Sequence, residues 1–236
     1  MLSTLDLRLT PNIETLNLGR CSDLVELHMH VECLNLIYVN LGGSSLITTV
    51  DLRLAPNLEE LILSSCKNLE NLHMLDRCVN LRCLRFNYSM LRTLDIGMNP
   101  NLRKLDLGDC HYLEELNMTY KCQKLANLNI SHTKLSTINL GLTPNLETLN
   151  IRLCSYLVKL HRRIKFFKLI YVNLEGSNLR TLDLRQAPNL EKMNIVQCNN
   201  LEKLRMPGKC LNLRSLLLIH SKLRTLDLGQ TPNLEN

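Results

Sequence analysis

The chain has 236 residues, of which 45% are hydrophobic and 21% charged, so it can bury a core and is not a disordered tail. It holds 56 Leu and 26 Asn but only 9 aromatic residues, a bias that indicates a repeated unit. The sequence lacks an apolar run of about 18 residues, so we expect no membrane span. Five of the charges behind the net +6 fall between Lys159 and Lys168, so the excess of positive charge is local.

Two short motifs repeat with a period of 44 residues, with one interval of 45. The first is Asp or Asn between two aliphatic residues, at Leu5–Leu7, Val50–Leu52, Leu94–Ile96, Ile138–Leu140, Leu182–Leu184 and Leu226–Leu228. The second is Pro followed by Asn, at Pro11, Pro56, Pro100, Pro144, Pro188 and Pro232. The chain is therefore predicted to be one solenoid of 44-residue double repeats over residues 1–236, truncated at both ends.

Each double repeat contains two segments in which apolar residues are spaced by three and then two positions, a pattern that places one short strand with its Leu side chains inward. In chain order the predicted strands are 13–18, 36–41, 58–63, 81–86, 102–107, 125–130, 146–151, 169–174, 190–195 and 213–218. A small residue, Cys in one unit and Ser or Thr in the next, follows each strand, and we expect it to tuck under the turn and bond a backbone group.

The predicted fold is a leucine-rich-repeat solenoid, mainly β, with one parallel sheet of about ten short strands. The return halves carry a strand-like spacing as well, without a helical period, so the outer face should be extended segments and turns with little helix. A right-handed parallel β-helix with the same ladder is the alternative.

Phrases such as Leu58-Glu59-Glu60-Leu61-Ile62-Leu63-Ser64-Ser65-Cys66-Lys67-Asn68-Leu69 resemble the leucine-rich-repeat region of plant intracellular immune receptors. The receptor class is the one with a toll/interleukin-receptor domain and a nucleotide-binding domain. The resemblance implies a role in disease resistance and innate immune signalling, through a recognition or autoinhibitory surface. The implied partners are a pathogen effector, a guarded host protein or the missing nucleotide-binding domain. The implied compartment is the cytoplasm, with the nucleus as an alternative.

The resemblance has limits. Where the family often has Pro in the return half, this chain has His28, His73, Asn117, His161 and Arg205, and no G-x-x-x-x-G-K-[ST] motif occurs, so nucleotide binding cannot be transferred. A leucine-rich-repeat substrate adaptor of a ubiquitin ligase is the alternative function, although it would need an F-box helix bundle.

No catalytic motif is found, so we expect neither an enzyme, nor a cofactor, nor a small-molecule substrate. The ten Cys are expected to be free thiols, because equivalent positions lie about 10 Å apart at the ladder spacing, too far for a disulfide. No Cys-x-x-Cys pair occurs, and no metal site is expected.

The residue between the last two apolar positions of each strand should face out, and six of these ten residues are Asn. Tyr and Arg are favoured interface anchors, and Arg85 in this column is expected to point into water. The candidate protein-binding residues are Tyr38, Arg85, Tyr88, Lys104, Asp106, Asp109, Arg152 and Tyr171.

The second candidate is a basic segment containing Arg162, Arg163, Lys165 and Lys168. It could dock on an acidic partner or anionic lipid, or it could be a solvated turn in which Phe166 fills a slot otherwise taken by Cys. One short cluster is a weak footprint for phosphates, so nucleic acid is not an expected partner.

Overall fold

A computed structural model describes residues 2–74, 79–97, 99–160 and 166–234. Its main feature is one ten-stranded parallel sheet in which every second strand of the chain pairs with the next. These strands are β2 (Thr15–Asn17), β4 (Tyr38–Asn40), β6 (Glu60–Ile62), β8 (Cys83–Arg85), β10 (Lys104–Asp106), β12 (Asn127–Asn129), β14 (Thr148–Asn150), β16 (Tyr171–Asn173), β18 (Lys192–Asn194) and β20 (Ser215–Leu217). The predicted parallel solenoid is confirmed, with one strand inside each predicted segment.

The return halves form five separate two-stranded parallel sheets, which are more regular than the extended segments we expected. Their strands are β1 (Thr4–Asp6), β3 (Glu26–His28), β5 (Thr49–Asp51), β7 (Asn71–His73), β9 (Thr93–Asp95), β11 (Glu115–Asn117), β13 (Thr137–Ile138), β15 (Lys159–Leu160), β17 (Thr181–Asp183) and β19 (Lys203–Arg205). One short 3-10 helix, Leu140–Leu142, is the helical content of the described residues. None of the helices in that part of the chain is long and apolar enough to cross a membrane.

Each strand is only two or three residues long because both ends of the apolar segment are used in turns. The amide of Leu36, the first apolar residue of its segment, donates to the Cys33 carbonyl at 3.2 Å. At the other end, the Leu41 carbonyl accepts from the Ser44 amide at 3.0 Å. Three central residues remain for regular pairing, and the middle one points into the core, as Val39 does.

The core is a continuous stack of aliphatic side chains between the main sheet and the return halves. Leu61, Leu84 and Leu105 occupy matched positions on adjacent strands and are each no more than 1% exposed. Phe166 is equally buried in the slot that Cys33 and Cys122 fill in other double repeats, as in the second of the two interpretations of the basic segment.

The small residues after the main-sheet strands form a second buried stack from Ser44 to Cys198. The thiols of Cys66, Cys110, Cys154 and Cys198 donate to backbone carbonyls at 3.0–3.2 Å. The hydroxyl of Thr133 donates in the same way to Ile130 at 2.8 Å. The nine cysteines that the structure describes are all free thiols.

The repeated Pro-Asn pair has a structural role that the sequence did not reveal. The side-chain amides of Asn57, Asn101, Asn145, Asn189 and Asn233 each donate to a backbone carbonyl 22 or 23 residues earlier, at 2.5–2.8 Å. These bonds join every second coil to the previous one outside the sheet.

Candidate protein-binding face

The outer face of the main sheet is formed by the first and third residues of each strand. On β10 these residues are Lys104 and Asp106, both half-buried, on either side of the buried Leu105. The third position is the column that the sequence predicted to face out, and its six Asn side chains lie there.

Most side chains of this column have a structural role. The side-chain oxygen accepts a hydrogen bond from the backbone amide two residues later, which shapes the turn after the strand. Examples are Asn150, which accepts from Arg152 at 3.1 Å, and Asn173, which accepts from Glu175 at 3.1 Å. The same bond is made by the repeated Asp of the return halves, as in Asp51 with Arg53 at 3.1 Å. The polar character of the column is therefore no evidence for a ligand.

Ile62, Arg85 and Leu217 are the members of this column that cannot make that bond. Arg85 lies beside Ile62 on one neighbouring strand and Asp106 on the other. Contrary to the expectation that it points into water, Arg85 is half-buried, and its Nε is shielded from solvent. This Nε has no hydrogen-bond partner in the part of the chain that the structure describes.

Asp106 stands next to Arg85 and is held by its neighbours. Its Oδ1 accepts from Asn87 Nδ2 at 2.6 Å, from Asn129 Nδ2 at 2.7 Å and from the Gly108 amide at 3.3 Å. The carboxylate is therefore held in one orientation, on the residue of β10 that pairs with Arg85 of β8.

A shallow depression of about 200 Å³ lies on the sheet face across β10, β12, β14 and β16. Its lining includes three predicted residues, Lys104, Asp106 and Tyr171, together with Asn129 and Asn150. The structure thus brings these three predicted residues together around one concavity.

A chain of polar side chains runs along the edge of the face, where the strands end. Arg152 Nε donates to Glu175 Oε1 at 3.0 Å, and Arg152 Nη1 lies 3.2 Å from His132 Nε2. His132 Nδ1 lies 3.6 Å from Asp109 Oδ1. Hydrogen bonding to Asp109 and the charge of that carboxylate raise the pKa of the exposed Tyr88 phenol. Three further predicted residues, Tyr88, Asp109 and Arg152, are therefore linked through His132.

Seven of the eight predicted residues belong to β8, β10, β14 and β16 or the turns that follow them. The eighth, Tyr38, lies on β4, two strands before β8, and is separate from the group. Arg162, Arg163 and Lys165 of the basic segment lie outside the described residues, and Lys168 is exposed.

Sequence reasoning missed His111, His132 and Glu175. Asp109 and His132 occupy the same turn position on adjacent coils, and both have positive φ, 61° and 55°. Their proximity could have been predicted from the sequence, because both residues follow the central Leu of their strand by four positions. His111 and His132 then lie with ring centroids 5.6 Å apart.

No protein-family model matches the sequence, and a search of curated proteins found no match. Among solved structures, the chain is similar to YopM from Yersinia enterocolitica WA-314, at 19% identity and a TM-score of 0.56. The alignment covers 95% of this chain and 57% of YopM, so the chain spans little more than half of that protein. The fold is a leucine-rich-repeat solenoid. At this identity, the similarity shows the fold alone.

Two other bacterial structures align over most of the chain at lower TM-scores. The functional domain of InlJ from Listeria monocytogenes, which includes a cysteine ladder, has 16% identity and a TM-score of 0.42 over 94% of this chain and 62% of that domain. A leucine-rich-repeat protein from Leptospira interrogans has 19% identity and a TM-score of 0.37 over 92% of this chain and 81% of its own.

Proposed function

We propose that this chain is a non-catalytic protein-binding solenoid whose partner docks on the exposed face of β8, β10, β12, β14 and β16. The observation that carries the proposal is Arg85, a half-buried guanidinium whose shielded Nε has no partner in the described chain. Leaving a buried polar group unpaired costs free energy, and a partner that pairs it recovers that cost. A carboxylate is the best match, because it can accept two hydrogen bonds from a guanidinium.

The surroundings of Arg85 fit a protein partner better than a small molecule. Ile62 supplies apolar surface on one side, and the Asp106 carboxylate supplies a fixed charge on the other. The neighbouring depression of about 200 Å³ is small and shallow, whereas small-molecule sites are usually larger and enclosed. An acidic side chain of the partner at Arg85 and an aromatic or amide side chain in the depression would use both features.

We extend the proposal to the class of protein. The chain is the recognition or autoinhibitory repeat region of a plant disease-resistance receptor, acting in the cytoplasm or the nucleus. The support is the resemblance of the paired Cys and Ser units to that receptor class, and the bacterial origin of the structural neighbours does not oppose it, because they share only the fold. The partner would then be a pathogen effector, a guarded host protein or the receptor's own nucleotide-binding domain.

The first experiment maps the surface. The chain carrying Arg85→Ala, Lys104→Ala and Asp106→Ala is compared with wild type in a pull-down read by quantitative mass spectrometry. The matched control is Arg92→Ala, which removes an exposed Arg from the return half of the same double repeat. A partner retained by wild type and control but lost by the triple variant supports the proposal. Equal retention of every bound protein by all three would overturn it.

A second experiment tests whether the chain belongs to a plant receptor of this class. The purified nucleotide-binding domain of a plant receptor with a toll/interleukin-receptor domain is titrated against the chain. Saturable binding that Arg85→Ala weakens supports the receptor assignment, and the absence of binding to such domains argues against the autoinhibitory role.

A further inference from the structure

Asp109, His111 and His132 form a compact group at the edge of the main sheet. One potential ligand atom from each residue lies within 4.8 Å of those of the other two. Asp109 and His132 are each about 29% exposed, and His111 is exposed, so an ion from solution can reach the group.

The backbone fixes the two turn residues next to each other. The Asp109 amide donates to the Ser131 carbonyl at 2.8 Å, and the His132 amide donates to the Arg152 carbonyl at 2.9 Å. Both residues have left-handed backbone conformations held by these bonds between coils. The backbone positions of Asp109 and His132 are therefore held by hydrogen bonds between coils.

The contact of His111 with the backbone is one that metal-binding histidines commonly make. Its Nδ1 lies 3.2 Å from the His132 carbonyl oxygen, which can only accept, so Nδ1 carries the proton. The lone pair of the neutral ring is then on Nε2. A histidine that ligates a metal usually donates its other ring N–H in this way, which fixes the tautomer and orients the ring.

We propose that Asp109, His111 and His132 bind a divalent transition-metal ion, with Zn²⁺ as the reference ion. Two imidazole nitrogens and one carboxylate oxygen suit Zn²⁺ and its neighbours, whereas Ca²⁺ and Mg²⁺ prefer oxygen ligands alone. Three protein ligands leave a fourth position for water or for a group of a docked protein. The proposal does not rest on the proposed function, because the ion binds the chain by itself.

The positive charge of Arg152 should weaken metal binding, so substitution of Arg152 tests the proposed site. Its Nη1 lies 3.2 Å from His132 Nε2 and donates to it in the absence of metal. When His132 ligates through Nδ1, its proton moves to Nε2, and that hydrogen bond with Arg152 is lost. The guanidinium keeps its bond to Glu175 at 3.0 Å, so it stays near the ion as a repelling charge.

The neighbouring ladder thiols are directed into the core. Cys110 follows Asp109 in the chain, and Cys154 belongs to the coil after that of His132; both are buried. Their thiols donate to the carbonyls of Phe86 and Ile130 at 3.1 and 3.0 Å, so they do not belong to the proposed ligand set.

The experiment is a calorimetric titration of the full chain with Zn²⁺, repeated with Co²⁺ and read by visible absorption. We expect Asp109→Asn, His111→Gln and His132→Gln each to weaken binding by at least about tenfold. Arg152→Ala should tighten it by about tenfold, since it removes one unit charge several Å from a divalent ion. The matched control is His220→Gln, which changes a histidine with φ of 56° at the same turn position, four coils later.

The Co²⁺ spectrum should show nitrogen and oxygen ligation without a thiolate charge-transfer band. Circular dichroism confirms that each variant is folded, which is expected because the substituted side chains are at least partly exposed. Unsaturable binding, a thiolate band, or wild-type affinity in all three ligand variants would overturn the proposal. None of these outcomes depends on whether a protein partner docks on the sheet face.

Discussion

Burial of a thiol couples its ionisation to folding in this solenoid. Cys66 is fully buried and donates to the Leu41 carbonyl at 3.2 Å, so its neutral form fits the site and its thiolate does not. Desolvation raises the pKa of Cys66 from 9.0 to about 11. Sequence analysis identified these residues as buried thiols from their spacing, but their acceptors could not be predicted, because the carbonyls belong to the preceding coil.

We predict that Cys66 lowers the stability of the chain between pH 9 and 11. Below this range both the folded and the unfolded chain carry a protonated thiol, and within it the unfolded chain loses the proton first. The unfolded state then binds fewer protons, so the free energy of unfolding falls as pH rises. Urea denaturation gives the free energy of unfolding of wild type and Cys66→Ala at each pH in this range. The difference between the two curves of free energy against pH measures the effect. If the two curves of free energy against pH are parallel, ionisation of the Cys66 thiol is not coupled to folding.

The turn after each strand depends on the side chain that ends the strand. Asn150 accepts from the Arg152 amide at 3.1 Å, and Asp51 does the same for Arg53 in a return half. The sequence showed the periodic Asn and Asp but not their role, because a polar residue facing water and a polar residue capping a turn give the same pattern. The members of the column that cannot cap a turn in this way are Ile62, Arg85 and Leu217.

Replacing Asn150 with Ala should destabilise the chain by about 0.5–1.5 kcal/mol, the usual net contribution of one hydrogen bond. Asn150→Asp keeps the accepting oxygen and should stay much closer to wild type. The midpoints and slopes of urea unfolding curves separate the two variants. Equal losses for Ala and Asp would mean that the amide group of Asn150, and not its accepting oxygen, matters at this position.

At the scale of the whole molecule, stacked coils bury one another's Leu side chains. The sequence predicted ten strands at a fixed spacing, and all ten pair in one parallel sheet, because stacked coils bury one another's central apolar residues. The strands are shorter than predicted, since Leu36 and Leu41 at the two ends of a segment take part in turns. The polar chain from Asp109 to Glu175 could not be predicted in detail, because it depends on rotamers of side chains about 20 residues apart.

Leu84→Ala should destabilise the solenoid by about 2–5 kcal/mol, because it opens a cavity in the middle of the stack. Leu84 is 1% exposed and lies between Leu61 and Leu105. The control is Leu46→Ala, since Leu46 is 46% exposed, and we expect a change within about 0.5 kcal/mol. Chemical denaturation gives both values, and a small loss for Leu84→Ala would contradict the core assignment.

The affinity of the partner for an Arg85 variant shows whether the sheet face around Arg85 binds that protein. The partner recovered with wild type is purified, and its Kd is measured by calorimetry for wild type, Arg85→Ala and the control Arg92→Ala. We expect Arg85→Ala to weaken binding by about 1–3 kcal/mol, the range of an interface anchor, and Arg92→Ala to leave the Kd unchanged. An unchanged Kd for a folded Arg85→Ala variant would contradict the claim and place the binding site elsewhere on the solenoid.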